Sequence, residues 1–282
     1  MTLIVAGIHG KRISVVGDTK ISFAAMREGG RRRSMRVYDG PVLKLSIVRS
    51  DLAIGVAGDD PVHALRETAF SWDKPIEVMV DALCQYSEES RRRSETNLGA
   101  AFLVCALNPL SIWRIENGVA YNRSSRPDLA WVGDNEPFEM FEDLYNEWPN
   151  HFSVEFRLLS SMQGIVTGPF ASAKSSVGGH AVHVTTVDGR FQYLGNQEAV
   201  FAPTPGNGHF FHQRLAIGAS STPGALGCFI EGRRRQALFR HQKPWEPIWI
   251  DGETVEQMIN AAASEFDQYL KAADSFLPTG NE

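Results

Sequence analysis

The sequence begins with two short runs of β-branched and aliphatic residues that lie close together. Residues 2–8, TLIVAGI, and residues 12–17, RISVVG, are separated only by His9-Gly10-Lys11. Runs of this composition joined by a short glycine-containing segment predict a β-hairpin. The first predicted strand therefore begins at Thr2, directly after Met1.

The remaining predicted elements come in blocks of strands and helices. Asp60 followed by Pro61 predicts a helix start, because an acceptor side chain caps the first turn and proline needs no backbone donor there. Apolar residues at three-and-four spacing after Pro75 predict a second helix with one buried face. Strands are predicted at residues 42–48, 52–57, 100–107, 111–116, 129–132, 181–187, 190–194, 236–240 and 247–250, and further helices at 138–148, 152–162 and 253–272. Residues 19–40 are predicted to be a long loop, and the Pro/Gly-rich region 203–227 predicts no clear element.

This order of elements predicts an α+β fold. Two stacked sheets covered by helices on both outer faces would give a four-layer α-β-β-α sandwich. With 282 residues, 43% of them hydrophobic, the chain is long enough to bury a substantial core. We expect a single domain over residues 1–282.

Charge and composition argue against several function classes. The formal net charge of -5 disfavours nucleic-acid binding, although three arginine triplets stand out. We expect the triplets to form solvated faces or contacts between subunits: Arg31–Arg33, Arg91–Arg93 and Arg233–Arg235. The chain shows no secretory signal and no stretch apolar enough to span a membrane, which predicts a cytoplasmic protein without membrane contact.

Metal and cofactor sites are not expected. The three cysteines, Cys84, Cys105 and Cys228, are scattered, so we expect them to be reduced and buried. His180 and His183 are three apart on a predicted strand and would face opposite sides of it, and the pair His209 and His212 lies in a glycine-rich segment. No phosphate-binding loop, nucleophile elbow or dinucleotide motif is present.

Thr2 carries a complete nucleophile and base if Met1 is removed. The α-amine of a terminal threonine takes the hydroxyl proton directly or through one water. A free α-amine has a pKa of about 7.7–8.0, so it accepts a proton near neutral pH. A nearby cation would favour the neutral amine further.

Residues 2–22, TLIVAGIHGKRISVVGDTKIS, resemble the amino terminus of proteasome β subunits and of the peptidase in the bacterial two-component ATP-dependent protease. These proteins are N-terminal nucleophile (Ntn) hydrolases that begin with threonine. Their D-x-x-x-[ST] pattern corresponds to Asp18–Ser22, and their lysine strand and A-G pair correspond to KLSIVRSDLAIGVAG, Lys44–Gly58. The hairpin AVHVTTVDGRFQYLG, residues 181–195, is also similar to the family. The chain is thus identified as a divergent, bacterial-type member.

The resemblance implies a role for each matching residue. Thr2 would be the nucleophile, and Asp18 would hold Lys44, whose charge lowers the pKa of the Thr2 hydroxyl and amine. The backbone N–H of Gly58 would stabilise the oxyanion. Ser22, at the end of the first motif, is a supporting residue.

Two loops depart from the family pattern. Asp134, in Val132-Gly133-Asp134-Asn135, occupies by position the place of the family's serine, although residues 218–221 resemble that loop more closely in composition. In the second loop, Lys174 and Val177 stand where the family has aspartate and serine. Ser175 or Ser176 would supply the missing hydroxyl after a small shift.

The resemblance implies a threonine-type amide hydrolase, a peptidase that forms an acyl-enzyme on Thr2. Two alternatives stay open: an Ntn amidase or acylase acting on a small amide, and a catalytically weakened subunit that forms rings or scaffolds. The family also implies a homo-oligomeric ring or stacked assembly, with an unfolding ATPase as a candidate partner. Residues 200–250 exceed the family core and are expected to form an insertion, extension or interface.

Overall fold

The computed structural model describes residues 2–19, 27–28, 31–32, 42–58, 60–94, 99–124, 129–167, 177–204, 207–218 and 224–272. For residues 27–28, 31–32, 197–204 and 207–218 it describes the backbone alone. Among these residues, no helix is long and apolar enough to cross a membrane.

The described chain alternates between antiparallel strands and helices. The strands are β1 (Leu3–His9), β2 (Arg12–Asp18), β3 (Arg27–Glu28), β4 (Arg31–Arg32), β5 (Leu45–Arg49), β6 (Leu52–Ala57), β7 (Ala101–Leu107), β8 (Leu110–Glu116), β9 (Val119–Asn122), β10 (Ala130–Gly133), β11 (Ala181–Val187), β12 (Arg190–Leu194), β13 (Gln197–Thr204), β14 (Asn207–Gly218), β15 (Leu226–Ile230), β16 (Arg235–Phe239), β17 (Ile248–Asp251) and β18 (Leu270–Ala272). The helices are α1 (Pro61–Thr68), which continues as a 3₁₀ turn over Ala69–Ser71, α2 (Ile76–Arg93), α3 (Asn135–Glu147), α4 (Val154–Thr167) and α5 (Val255–Phe266).

Three main sheets organise these strands. The first has the order β10-β1-β2-β11-β12, and the second runs β5-β6-β7-β8-β9. The third has the order β13-β14-β15-β16-β17, with β18 paired to β14. β3 and β4 form a separate two-stranded ribbon. Within the first sheet, the β1–β2 hairpin keeps the predicted turn, with His9 opposite Arg12 and Gly10 at a φ of 61°.

The alternation of side chains along the strands divides the interior into clusters. Ile4 and Val15 of the first sheet share the central cluster with Leu45 and Leu103 of the second. On the other face of the second sheet, side chains such as Ile54 pack against α1 and α2. On the other face of the first sheet, Leu3, Val5 and Val16 pack against α3 and α4. The two sheets therefore share the central cluster, and each also contributes to a second cluster with a pair of helices.

The third sheet is where the sequence prediction was incomplete. Two stacked sheets were expected, but residues 197–251 build a further sheet, and α5 covers one face of it. Its other face supplies Leu226, Cys228, Ala237 and Phe239 to the central cluster. Strands β13, β14 and β15 were missed because prolines and glycines interrupt the alternating pattern around residues 203–227, whereas β16 and β17 lie where strands were predicted.

Several element boundaries differ from the prediction. The strand expected at 42–48 begins at Leu45, and β9 was not predicted. The helix expected over 253–272 ends at Phe266, because Asp267 adopts a left-handed conformation with a φ of 54°, and the chain then enters β18. Asp60 caps α1 as predicted, accepting the His63 N–H. Helices α3 and α4 begin at Asn135 and Val154, each within three residues of the expected start.

Candidate active site

A buried ion pair joins the first and second sheets. The Lys44 Nζ lies 2.9 Å from Asp18 Oδ2, and both side chains have 0% exposure. Asp18 is the last residue of β2, and Lys44 directly precedes β5. The Lys44 carbonyl accepts the N–H of Val56 at 2.8 Å, which extends the β5–β6 pairing to the lysine. Two residues that are 26 positions apart in the sequence are thus brought into direct contact.

Backbone donors from two further segments also bind the Asp18 carboxylate. The Leu3 N–H donates to Oδ1 at 3.1 Å, which ties the carboxylate to the residue after Thr2. The Gly178 N–H donates to Oδ2 at 3.3 Å from the segment that leads into β11. Complete burial raises the pKa of the Asp18 carboxyl, and the Lys44 charge and these two N–H donors oppose the rise.

Thr2 lies beside this cluster and is almost fully buried, with 1% exposure. Its carbonyl accepts the Asp134 N–H at 3.0 Å. Its hydroxyl Oγ1 is buried and has no hydrogen-bond partner among the residues that the structure describes. This hydroxyl therefore lacks the hydrogen bonds that buried polar groups usually make, and no described contact uses its proton or lone pairs.

Gly133 provides the close approach to Thr2. It pairs with Leu3 at the end of β10 and has a φ of 120°. A Cβ at this position would lie 1.8 Å from the Thr2 carbonyl oxygen. Only glycine therefore allows β10 to pass so near the first residue of the hairpin.

Gly58 lies at the predicted junction between β6 and α1. It has a φ of 128°, a region that residues with a Cβ rarely adopt. A Cβ there would lie 2.9 Å from the Gly99 carbonyl oxygen and 3.0 Å from the Ala100 Cα. Backbone crowding and a positive φ both require glycine at residue 58.

The structure brings together some of the predicted site residues and not others. Asp18 and Lys44 are in contact, and Thr2 is linked to Asp18 through Leu3. Asp134 reaches Thr2 through its backbone N–H, and its side chain makes no capping hydrogen bond at the start of α3. Ser22, Ser175, Ser176, Lys174 and residues 219–221 lie outside the described residues.

At the position where the family pattern has serine, this chain has Val177, whose side chain belongs to a hydrophobic cluster. Its side chain is fully buried in the cluster that contains Leu3, Phe141 and Met162. This side chain packs the first sheet against α3 and α4 and presents no polar group to Thr2. Gly178, the next residue, supplies a backbone donor to Asp18 instead.

Thr19, Gly133 and Gly178 were not identified from the sequence as site residues. Thr19 Oγ1 accepts the His180 N–H at 2.8 Å, and the Thr19 carbonyl accepts the Val42 N–H at 3.1 Å. Gly133 acts through its lack of a Cβ and Gly178 through its backbone N–H, and neither role distinguishes these residues in the sequence from the chain's other glycines. Gly178 directly follows Val177 in the second loop, and that loop is the segment that the sequence did single out.

The other histidines, cysteines and arginines that the sequence analysis singled out lie outside this site. His180 precedes β11 and His183 lies within it, and burial lowers their pKa values to about 3 and about 4. No group of three metal-binding side chains occurs among the described residues.

Cys105 and Cys228 are buried, whereas Cys84 is half-buried, contrary to the expectation that all three are buried. Arg91, Arg92 and Arg93 form ion pairs with Glu88 and Glu89 along α2.

Comparison with known proteins finds similarity among solved structures alone. No family model matches the sequence, and no curated protein matches it. Among solved structures, the chain is similar to the crystal structure of eukaryotic HslV from Trypanosoma brucei, with 13% sequence identity and a TM-score of 0.44. The alignment covers 65% of this chain and 98% of that chain. Function is therefore inferred from the geometry of the site.

Proposed function

We propose that this protein is a threonine-type amide hydrolase, a peptidase whose nucleophile is Thr2 after removal of Met1. The observation that supports it best is the buried Lys44–Asp18 pair, tied through Leu3 to a threonine whose hydroxyl has no partner among the described residues. Burying an ion pair is costly, and stability alone gives little reason to keep one. A functional role would explain the pair, and we infer that its charge activates the Thr2 hydroxyl.

The reaction proceeds through an acyl-enzyme. The Thr2 Oγ attacks the amide carbonyl carbon and gives its proton to the free α-amine, directly or through a water. The resulting oxyanion accepts the N–H of Gly58, a type of contact worth on the order of 10²–10³-fold in rate. Collapse breaks the C–N bond, and the proton held by the amine passes to the leaving nitrogen. Water then attacks the ester, with the same amine as base, and releases the acid.

Lys44 acts on Thr2 through its charge. An ammonium near the Thr2 hydroxyl and amine favours the alkoxide and the neutral amine, which lowers the pKa of both groups. Asp18 holds the ammonium in place, with the Leu3 and Gly178 N–H groups holding the carboxylate. Positioned proton transfer of this kind contributes roughly 10²–10⁴-fold.

Access to Thr2 is part of the proposal. At 1% exposure the residue has almost no contact with solvent. A substrate reaches the hydroxyl only when neighbouring chain segments move or are removed. Removal of Met1 is required in any case, because an acylated Thr2 nitrogen has no lone pair available as a base.

The test compares Thr2→Ala and Thr2→Ser in protein whose intact mass shows that Met1 is absent. Thr2→Ala should reduce peptide hydrolysis and epoxyketone or vinyl sulfone labelling to background, because the nucleophile is lost. Thr2→Ser keeps a hydroxyl and the amine and should retain measurable activity and labelling. Retention of Met1 in the native protein, or unchanged hydrolysis by Thr2→Ala, would contradict the mechanism.

A second candidate function is a non-catalytic subunit with the same fold, and Val177 is the observation that favours it. An apolar side chain buried at that position leaves the nucleophile without the hydroxyl that the family pattern has there. An inactive but correctly processed wild-type protein would support this alternative. A small-amide acylase is the other alternative, and a panel of peptides and small amides separates it from a peptidase.

The wider assembly belongs to the same proposal. We propose that the clusters on the two faces of the first and second sheets are those of a four-layer α-β-β-α sandwich of the Ntn type, within a single domain over residues 1–282. Residues 200–250 are its family-specific addition. We propose a cytoplasmic homo-oligomeric ring of a divergent bacterial type, with an unfolding ATPase as a candidate partner.

A further inference from the structure

Thr19 is a buried residue that contacts two separate segments of the active site. It directly follows Asp18 and has 2% exposure. Its side-chain Oγ1 accepts the His180 N–H at 2.8 Å. Its carbonyl oxygen accepts the Val42 N–H at 3.1 Å. One residue therefore joins the end of β2 to the segments before β11 and before β5.

Each contact lies two residues away from a group that binds Asp18. His180 is two residues after Gly178, whose N–H donates to Asp18 Oδ2 at 3.3 Å. Val42 is two residues before Lys44, whose Nζ donates to the same oxygen at 2.9 Å. Two residues span at most about 7 Å of chain, so a fixed position for residue 180 or 42 leaves little freedom for residue 178 or 44.

We propose that Thr19 is a positioning residue for the active site: its hydroxyl holds the Gly178 N–H on Asp18, while its carbonyl holds the segment that carries Lys44. As a statement about catalysis this inference rests on the proposed function. The arrangement separates the two tasks, since only the contact to His180 uses the side chain. A substitution at residue 19 therefore removes one contact and leaves the backbone contact to Val42 available.

A simpler explanation is that the hydroxyl only satisfies a buried N–H at the start of β11. Pairing between β11 and β2 begins at Ala181 and Asp18, so the His180 N–H lies just outside the ladder. Thr186, near the other end of β11, gives a matched case, because its Oγ1 accepts the buried Ile13 N–H at 3.0 Å. The two explanations differ in whether losing the Thr19 hydroxyl affects Gly178 more than losing the Thr186 hydroxyl does.

The experiment measures amide hydrogen exchange at Gly178 by NMR in the full chain. Thr19→Val keeps the shape of the side chain but removes the acceptor. Exchange at the Gly178 amide should then be about tenfold faster than in Thr186→Val, because the loss of one hydrogen bond lowers the local protection by about that factor. Thr19→Ser restores the acceptor and should restore the wild-type rate. Equal Gly178 rates in Thr19→Val and Thr186→Val would overturn the proposal.

A second measurement separates this proposal from the proposed function. In processed protein with peptidase activity, Thr19→Val should lower kcat about tenfold with KM unchanged, and Thr186→Val should leave kcat unchanged. Equal kcat values for Thr19→Val and wild type would overturn the catalytic part of the inference. If processed wild-type protein hydrolyses no amide, the proposed function fails, and the exchange rates at Gly178 still decide whether Thr19 positions that segment.

Discussion

At the scale of single residues, His183 is a fully buried titratable group outside the site. It lies on β11 between Val16 and Leu194. Neither ring nitrogen has a hydrogen-bond partner among the described residues. Burial lowers its pKa from 6.5 to about 4, against the opposing effect of the Glu155 carboxylate on α4. The imidazole is therefore neutral in the folded protein at neutral pH.

This neutral state predicts acid sensitivity. Between pH 6.5 and about 4, the unfolded chain binds a proton at residue 183 that the folded chain does not, so the free energy of unfolding decreases as pH falls through this window. Across this window His183 lowers the free energy of unfolding by about 3 kcal/mol, because each unit of pKa difference is worth 1.36 kcal/mol. His183→Leu should remove this effect and flatten the pH dependence measured by urea denaturation at pH 7, 6, 5 and 4.5.

His183→Gln is the matched variant, because it keeps a polar side chain at the same position on β11 but has no group that titrates in this range. Its slope against pH should match that of His183→Leu. His180 is also buried with a lowered pKa, so some acid sensitivity should persist in His183→Leu. A His183→Leu slope equal to that of wild type would show that residue 183 is protonated or solvated in the folded state.

At the scale of elements, the contact between β10 and Thr2 depends on Gly133. Gly133→Ala places a Cβ at 1.8 Å from the Thr2 carbonyl oxygen and forces an alanine to a φ of 120°. Strain and overpacking together should cost at least about 3 kcal/mol of stability in urea denaturation. The β1–β10 pairing should separate near Thr2, so the processed variant should also lose peptidase activity.

Gly189 is the matched control, since it has a φ of 72° in the β11–β12 turn and an added Cβ there meets no atom within 4 Å. Gly189→Ala should therefore show only the backbone cost, about 1–2 kcal/mol. Equal losses for the two alanine variants would contradict the assignment of Gly133 as the site of close approach.

The elements also show what the sequence could and could not predict. The β1–β2 and β11–β12 hairpins were predicted almost to the residue, because runs of β-branched and aliphatic residues flank a Gly-containing turn. Helix α5 was predicted too long because apolar residues continue at helical spacing to Leu270. The helix ends at a left-handed Asp267, and an aspartate in the sequence does not by itself indicate a helix end. In the site, the resemblance suggested Asp18 and Lys44 as partners. The donor at Gly178 was missed because its chemistry is that of the backbone.

At the scale of the whole molecule, the third sheet belongs to the same core as the other two. Phe239 of β16 is 1% exposed and lies in the cluster that contains Ile4 and Val15 of the first sheet and Leu103 of the second. A merely attached unit would have a separate interior. Residues 200–250 thus include side chains on which the packing of the central cluster depends, and the third sheet should not unfold by itself.

Phe239→Ala tests this dependence. Loss of a buried phenylalanine typically costs about 3–5 kcal/mol. Because the cavity opens onto the shared cluster, amide protons in β1 and β2 should exchange faster by hydrogen-exchange measurement, to the same extent as those in β16. Trp249→Ala on β17 is the control: this side chain is 42% exposed, so both groups of amides should stay close to wild type. Faster exchange confined to the amides of β15–β17 would instead identify the third sheet as an independent folding unit. Only a unit that unfolds cooperatively by itself can open without exposing the amides of the β1–β2 hairpin, which carries Thr2 and Asp18.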